Sequence, residues 1–242
     1  MSSETAQNSQ AASGRWIPLE CNPEVLNSWA NRAGLVSTES QFTDIYGFDE
    51  ELLAMVPRPV KAILLLFPIS DALEAKRREE DEKINDQQLD NVLWIKQTIS
   101  NACGTIGLLH ALANSNVSFT PESPLAQFVQ ACKAKTPQER AEFLEATPLF
   151  ANIHADAAST GQSAVPTDLD TDLHFTCFVE ININDEPHIV EFDGRRAGPF
   201  DRGACPTGDF LKDVASLVRE VYVAQSSSIQ FSMVSLGPPS DW

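Results

Sequence analysis

The sequence predicts an α/β domain of the α+β kind, a central and mostly antiparallel sheet flanked by helices. Three observations lead to it. Residues 60–67 are apolar throughout except for Lys61, as in a strand covered on both faces. Residues 173–183 alternate, with Phe175, Cys177, Val179 and Ile181 on one side and His174, Thr176, Phe178 and Glu180 on the other, and a second extended run at 188–193 follows closely. Around these strands lie helices with readable starts, at Asn22-Pro23-Glu24 and at the capping box Thr136-Pro137-Gln138-Glu139.

Each element can be justified in order. The first helix carries Val25, Leu26, Trp29 and Ala33 on one face and stops at Gly34. Residues 42–46 alternate as a short strand, Asp49 is placed to cap a helix over 50–55, and Pro57 and Pro59 end that helix. After the apolar strand, residues 70–90 mix Glu, Asp, Lys and Arg with few apolar side chains, which implies a mobile charged connection, helical at most in part. Helices are expected from Cys103 to about Asn114, over 125–133, and after Thr136. Residues 148–171 show no apolar period and read as one long loop, a length that in a compact domain points to function. Residues 210–224 form an amphipathic helix and 229–236 a last strand.

With 242 residues, 43% of them hydrophobic, the chain can bury one sizeable core, expected as a single domain over 15–237. Residues 1–14 are polar, lack periodicity and should be disordered; 238–242 form a tail. The five cysteines are odd in number and scattered without zinc spacing, so reduced thiols in an intracellular protein are expected, and no metal. The start of the sequence has no apolar leader, and the longest apolar run is far too short to span a bilayer. We therefore expect a cytoplasmic protein, with the nucleus also open to it. A net charge of −17 argues against nucleic acid and anionic membrane surfaces as partners. It suits a basic partner, and equally it suits simple solubility.

The chemistry concentrates at residues 97–109. Ser100 or Asn101 is placed to cap a helix whose first turn holds Cys103, where the dipole and unpaired amides favour a thiolate. Gln97 could return its amide toward that thiol and donate to an oxyanion. A cysteine in an apolar helix is also consistent with plain packing. If a tight turn at Asn184-Asp185 joins the two late strands, Asp193 lies opposite Thr176, one diagonal step from His174 and on the same face. A carboxylate and an imidazole then meet. Of the other histidines, His110 lies roughly 10 Å along the helix from Cys103, His154 falls in the long loop, and His188 faces away from His174.

The stretches QTISNACGTIGLLHA, RWIPLECNPEVLN, FTDIYGFDEELLAMVPRP, DLHF and EFDGR, spread from Arg15 to Arg195, resemble the ubiquitin carboxyl-terminal hydrolase family in its short, single-domain form. The resemblance implies a papain-like cysteine protease fold, a Cys103–His174–Asp193 triad, Gln97 as oxyanion donor, and no cofactor. It also implies that 148–171 is a crossover loop over the active site, and that Glu20, Glu24 and Asp44 contact the tail of ubiquitin. The expected activity is thiol-dependent removal of small adducts or short peptides from the C-terminal glycine of ubiquitin by a monomer. Alternatives are hydrolysis of a ubiquitin-like modifier such as the one attached to cullins, or non-catalytic ubiquitin binding. The connection between His174 and Asp193 is a few residues longer than the resemblance leads us to expect, and Pro187 within it threatens a bulge in the hairpin.

Overall fold

The computed structural model describes residues 15–84, 89, 92–162 and 169–240. The expected disorder of 1–14 and the last two residues of the tail lie outside them. The elements are α1 (Pro23–Ala33), β1 (Gln41–Ile45), α2 (Glu50–Leu53), β2 (Ala62–Pro68), α3 (Asp71–Asp81), α4 (Cys103–Asn114), α5 (Pro124–Cys132), α6 (Pro137–Glu145), α7 (Pro148–Ala158), β3 (Leu173–Ile183), β4 (Glu186–Phe192), β5 (Phe200–Ala204), α8 (Phe210–Val221) and β6 (Ser232–Gly237). The strands form one sheet in the order β1-β6-β2-β3-β4-β5. All its neighbouring pairs are antiparallel.

Two apolar layers cover the sheet, and the alternation of β2 and β3 divides their side chains between them. Leu64, Phe175, Cys177 and Val179 pack with α1, α4, α5 and α7. Ile63, Leu65, Phe67 and Phe178 pack with α8 and Leu53 of α2. In α4, ten of twelve residues are buried, including polar Thr105 and His110, so it is a central helix enclosed on every side. Full burial of its Leu108, Leu109 and Leu112 contributes about 1.5–3 kcal/mol each. The sheet and the α1 layer thereby hold the start of α4 in one place.

The β3–β4 hairpin has the predicted register, pairing Ile183 with Glu186 and Cys177 with Phe192. Asn184 and Asp185 both take left-handed backbone, φ 52° and 66°, which matches a two-residue turn to the twist of the strands. Pro187 sits opposite Asn182 without a bulge; the register shift falls on the other side of β4, against β5 between His188 and Val190.

Three expectations need correction. Within the charged run 70–90, residues 71–81 are not a mobile connection but helix α3, capped by the Ser70 hydroxyl, with Glu74 and Glu80 paired to the distant Arg195, Arg196 and Arg202; residues 85–88 and 90 of the run lie outside the described residues. Residues 148–158 of the supposed loop are helix α7, whose Phe150, Ile153 and Ala157 are buried and whose Phe150 stacks on Trp29, centroids 5.9 Å apart. Residues 163–168 of that loop lie outside the described residues. Neither Ser100 nor Asn101 caps α4; its N-cap is Ala102, with no side-chain bond.

Helix α1 ends at Gly34, φ 112°, whose amide donates to Ala30 and Asn31. A Cβ there would lie 2.1 Å from that of Ser123, the cap of α5. Gly34→Ala is therefore expected to cost about 2 kcal/mol or more. Urea denaturation should show a lower midpoint with an unchanged slope.

Candidate active site

The nucleophile candidate sits where the sheet layer meets the N-terminal segment. Asn101, at φ 62°, uses its side chain elsewhere than as a cap: Nδ2 donates to the carbonyls of Trp16 (3.0 Å) and Leu169 (2.9 Å). With no side chain across the first turn of α4, the positive end of the dipole is left beside the Cys103 thiol. Further along, Thr105 is bonded to His154 Nδ1 (2.9 Å), and His154 Nε2 donates to the Ile17 carbonyl (2.6 Å), which fastens α7 and the N-terminal segment to α4.

His174 Nε2 bonds Asp193 Oδ1 at 2.7 Å, and the Arg195 amide donates to the same oxygen at 2.8 Å. The Asp193 carbonyl accepts from Trp94 Nε1 (3.0 Å) and from the Arg196 amide (3.2 Å). Both partners are almost wholly buried. Because Nε2 is taken by Asp193, the other ring nitrogen is left toward Cys103, whose thiol feels the His174 imidazole. The electrostatics follow from these contacts. Burial alone pushes the Cys103 thiol up, but the bond and charge of His174 and the Phe175 backbone outweigh it and hold the thiol below its usual value. Burial pushes the His174 imidazole down, and the Asp193 charge and bond outweigh it, raising it to about 10. For Asp193, burial raises the carboxyl, and His174, the Arg195 amide and Arg196 bring it to about 2. These shifts run in the direction that favours a thiolate beside an imidazolium, with a carboxylate behind it.

The remaining histidines are engaged elsewhere. His110 Nε2 accepts from the Ile95 amide, and burial lowers it to about 4; burial does the same to His154. His188 pairs with Asp201. Gln97 lies beside the Asp193 turn, its amide donating to the Gly194 carbonyl at 2.8 Å. Its side-chain Nε2 donates to Ile99 O at 3.2 Å, which uses one of two amide hydrogens, and Oε1 is buried without a partner among the described residues.

Glu24 and Asp44 line one open cavity of about 570 Å³ with Phe42, Tyr46 and Met55. Burial pushes the Asp44 carboxyl up. Glu20 is not among the residues lining that cavity; its carboxylate accepts from the Gln162 amide at 3.1 Å, just after α7. Sequence reasoning missed Trp94 and a buried set of charges below Asp193, centred on Glu191 and Arg196. The one available signal was Glu191 itself, an acid at an inward position of a strand. Among the described residues no group of three or more His, Cys, Asp or Glu side chains is placed to hold a metal ion.

Two outcomes follow from this electrostatics. Cys103 is 9% exposed, whereas Cys132 and Cys177 are fully buried, and burial raises the thiols of Cys132 and Cys205 to about 11. Iodoacetamide at pH 6 should therefore alkylate Cys103 first, by mass spectrometry, and His174→Ala should slow that reaction at least tenfold. The second outcome concerns stability. A raised imidazole stabilises fully below its ordinary 6.5 and loses that contribution as pH rises through about 10. A depressed carboxyl stabilises above its ordinary 3.8 and loses the contribution as pH falls through about 2. The stability lost in Asp193→Asn should thus be largest between about pH 4 and 6.5 and shrink on either side, as thermal unfolding against pH would read.

Comparison with known proteins places the chain in a family. The model of the family described as ubiquitin carboxyl-terminal hydrolase, family 1, matches residues 16–223. Ubiquitin carboxyl-terminal hydrolase 3 of Arabidopsis thaliana is 39% identical over 229 residues, 93% of this chain and 95% of that protein. Ubiquitin carboxyl-terminal hydrolase isozyme L1 of Homo sapiens is 36% identical over 222 residues, 90% of this chain and 96% of that one. Among solved structures, the catalytic domain of Trichinella spiralis UCH37 bound to ubiquitin vinyl methyl ester superposes with a TM-score of 0.70 at 21% identity, covering 95% of this chain and 98% of that chain. The fold is the papain-like α/β fold of these enzymes, and the chain belongs to ubiquitin carboxyl-terminal hydrolase family 1, the cysteine-type deubiquitinases.

Proposed function

We propose that this chain removes small adducts or short, unfolded peptides from the C-terminal glycine of ubiquitin, with Cys103, His174 and Asp193 as its triad. The observation that carries the reading is the buried series Cys103, His174, Asp193, with a 2.7 Å bond between the last two and the thiol held below its ordinary value by the imidazole. Such a series supplies a nucleophile at neutral pH and, on the same imidazole, the proton a departing amine needs. The charge of −17 and the cavity with Glu24 and Asp44 support a basic partner. The Trichinella relative is bound to a ubiquitin derivative, which supports ubiquitin in particular.

In this mechanism the Cys103 thiolate adds to the carbonyl carbon of the terminal glycine. The Cys103 amide and the second hydrogen of Gln97 Nε2 hold the oxyanion. The His174 imidazolium gives its proton to the leaving nitrogen, the C–N bond breaks, and a thioester remains. Neutral His174 then takes a proton from water as the water adds to the thioester carbonyl, and the thiolate leaves. Asp193 keeps the ring oriented throughout.

Support for small leaving groups comes from the connection between α7 and β3, which is tied at both ends. Gln162 is bonded to Glu20, whose neighbour Leu19 lies against Gly104 of α4, and Leu169 is bonded to Asn101. Both ties lie near the start of α4, which carries Cys103.

Hydrolysis of a fluorogenic ubiquitin C-terminal amide tests the reading directly. Activity and labelling by a ubiquitin vinyl methyl ester should be present in the native chain and absent in Cys103→Ala. Gln97→Ala should lower kcat by about 100-fold. A native chain that neither cleaves nor is labelled would overturn the proposal.

A further inference from the structure

Asp193 opens a turn, residues 193–196, whose far end is held by charges that the hydrolysis does not use. Arg196 closes the turn by donating its amide to the Asp193 carbonyl. Its guanidinium, 4% exposed, reaches three carboxylates: Glu80 at 2.8 Å and Asp81 at 3.1 Å on α3, and Glu191 at 3.4 Å on β4. Glu191 is itself fully buried and accepts from Tyr222 (2.6 Å) and from Thr176 (3.0 Å), the residue two along from His174 on the same face of β3. A small cavity of about 20 Å³, the room of a single water, is lined by Asp193, Arg196, Arg202, Glu80 and Tyr222, so the cluster faces the carboxylate directly.

We propose that Arg196 is a positioning residue: locked to α3 and β4, it fixes the turn that carries Asp193 and through it the orientation of the His174 imidazole. The inference rests on the hydrolase reading above for its kinetic consequence, though not for its geometry. Stability alone is a poor account of the cluster. Removing so many charges from water costs much of what their attraction returns, and apolar side chains of like volume do as well or better. What a planar guanidinium adds is fixed geometry, because its donors meet several carboxylates only in one orientation. Helix α3 depends on it, since Leu73 and Glu80 are its only buried residues.

The structure supplies its own control. Arg202, on β5, bonds the same Glu80 (2.6 Å) and Glu191 (2.7 Å) and lies over the same Phe200 ring as Arg196, but its guanidinium bonds go to those two acids and it stands outside the 193–196 turn. When either arginine is replaced by methionine, the other still pairs both acids, and Asp81 keeps Arg77. Neither variant strands a buried carboxylate.

The test compares Arg196→Met with Arg202→Met by steady-state kinetics on the fluorogenic ubiquitin amide and by NMR titration of the His174 imidazole. The pair is faced by Cys103 and neutral His110 from α4 and by Glu74, Lys76, Arg77 and Glu80 from α3. Glu191 of β4, Arg195 in the turn, Arg202 of β5 and Tyr222 complete the surroundings. All of these stay in Arg196→Met. Positioning predicts that Arg196→Met loses about tenfold or more in kcat with KM unchanged, while Arg202→Met stays within twofold. It also predicts that the imidazole midpoint falls by a unit or more in Arg196→Met, because a loosened carboxylate supports the imidazolium less. Loss of a nearby cation alone would move that midpoint up. An unchanged or rising midpoint, or equal losses in the two variants, would overturn the proposal. The titration needs no substrate, so a native chain inactive on ubiquitin would sink the hydrolase reading and leave the positioning to be decided by the midpoint.

Discussion

The register of the β3–β4 hairpin is the constraint on which the site depends. Side chains alternate along a strand, so a slip of one residue would turn His174 into the α4 layer or carry Asp193 past it. Asn184 and Asp185 hold the register, each tolerating left-handed backbone better than most residues. His174 is the second residue of β3 and lies opposite Phe67 of β2, one step before Pro68 and Leu173 finish the ladder. At that margin a side chain from the α8 face of the sheet can meet a thiol delivered from the α4 face. The two faces of the sheet communicate there, and the strand ends explain why.

Features set by local chemistry were legible in the sequence, and features set by remote partners were not. The capping box at Thr136, the proline start and glycine stop of α1, and the hairpin turn each involve residues within a few positions of one another. Geometry within the hairpin was enough to choose His174 among four histidines. Helix α3 stayed hidden because its partners, Arg195, Arg196 and Arg202, lie more than a hundred residues away and no apolar stripe announces it. In α7 the apolar Phe150, Ile153 and Ala157 do repeat at helical spacing, but Asn, His and Ala between them, and a Thr147 that makes no cap bond, mask the pattern. Asn101 looked like a cap because asparagine caps helices; here its amide serves Trp16 and Leu169 instead. For Glu20, residue type did not reveal that the carboxylate bonds Gln162, where the α7 to β3 connection begins.

The thiols show how strongly surroundings decide reactivity. Cys177 and Cys103 are both buried and lie within the same apolar layer. Burial drives the Cys177 thiol far above its ordinary value and the buried Glu191 adds to this, while at Cys103 an imidazolium outweighs the same burial. The His174 imidazole and the Phe175 backbone thus separate a thiol held below its ordinary value from one pushed far above it.

Strand β6, residues 232–237, lies between β1 and β2, and β1 is bonded to the sheet through β6 alone. During synthesis, then, β1 is made nearly two hundred residues before its only neighbour. The apolar side chains of β2 wait equally long for one of their two flanking strands. Contacts so distant in sequence are slow to form, and surface left open meanwhile invites wrong pairings. The sheet therefore stays unclosed until β6 has been made, and its closure joins segments nearly two hundred residues apart.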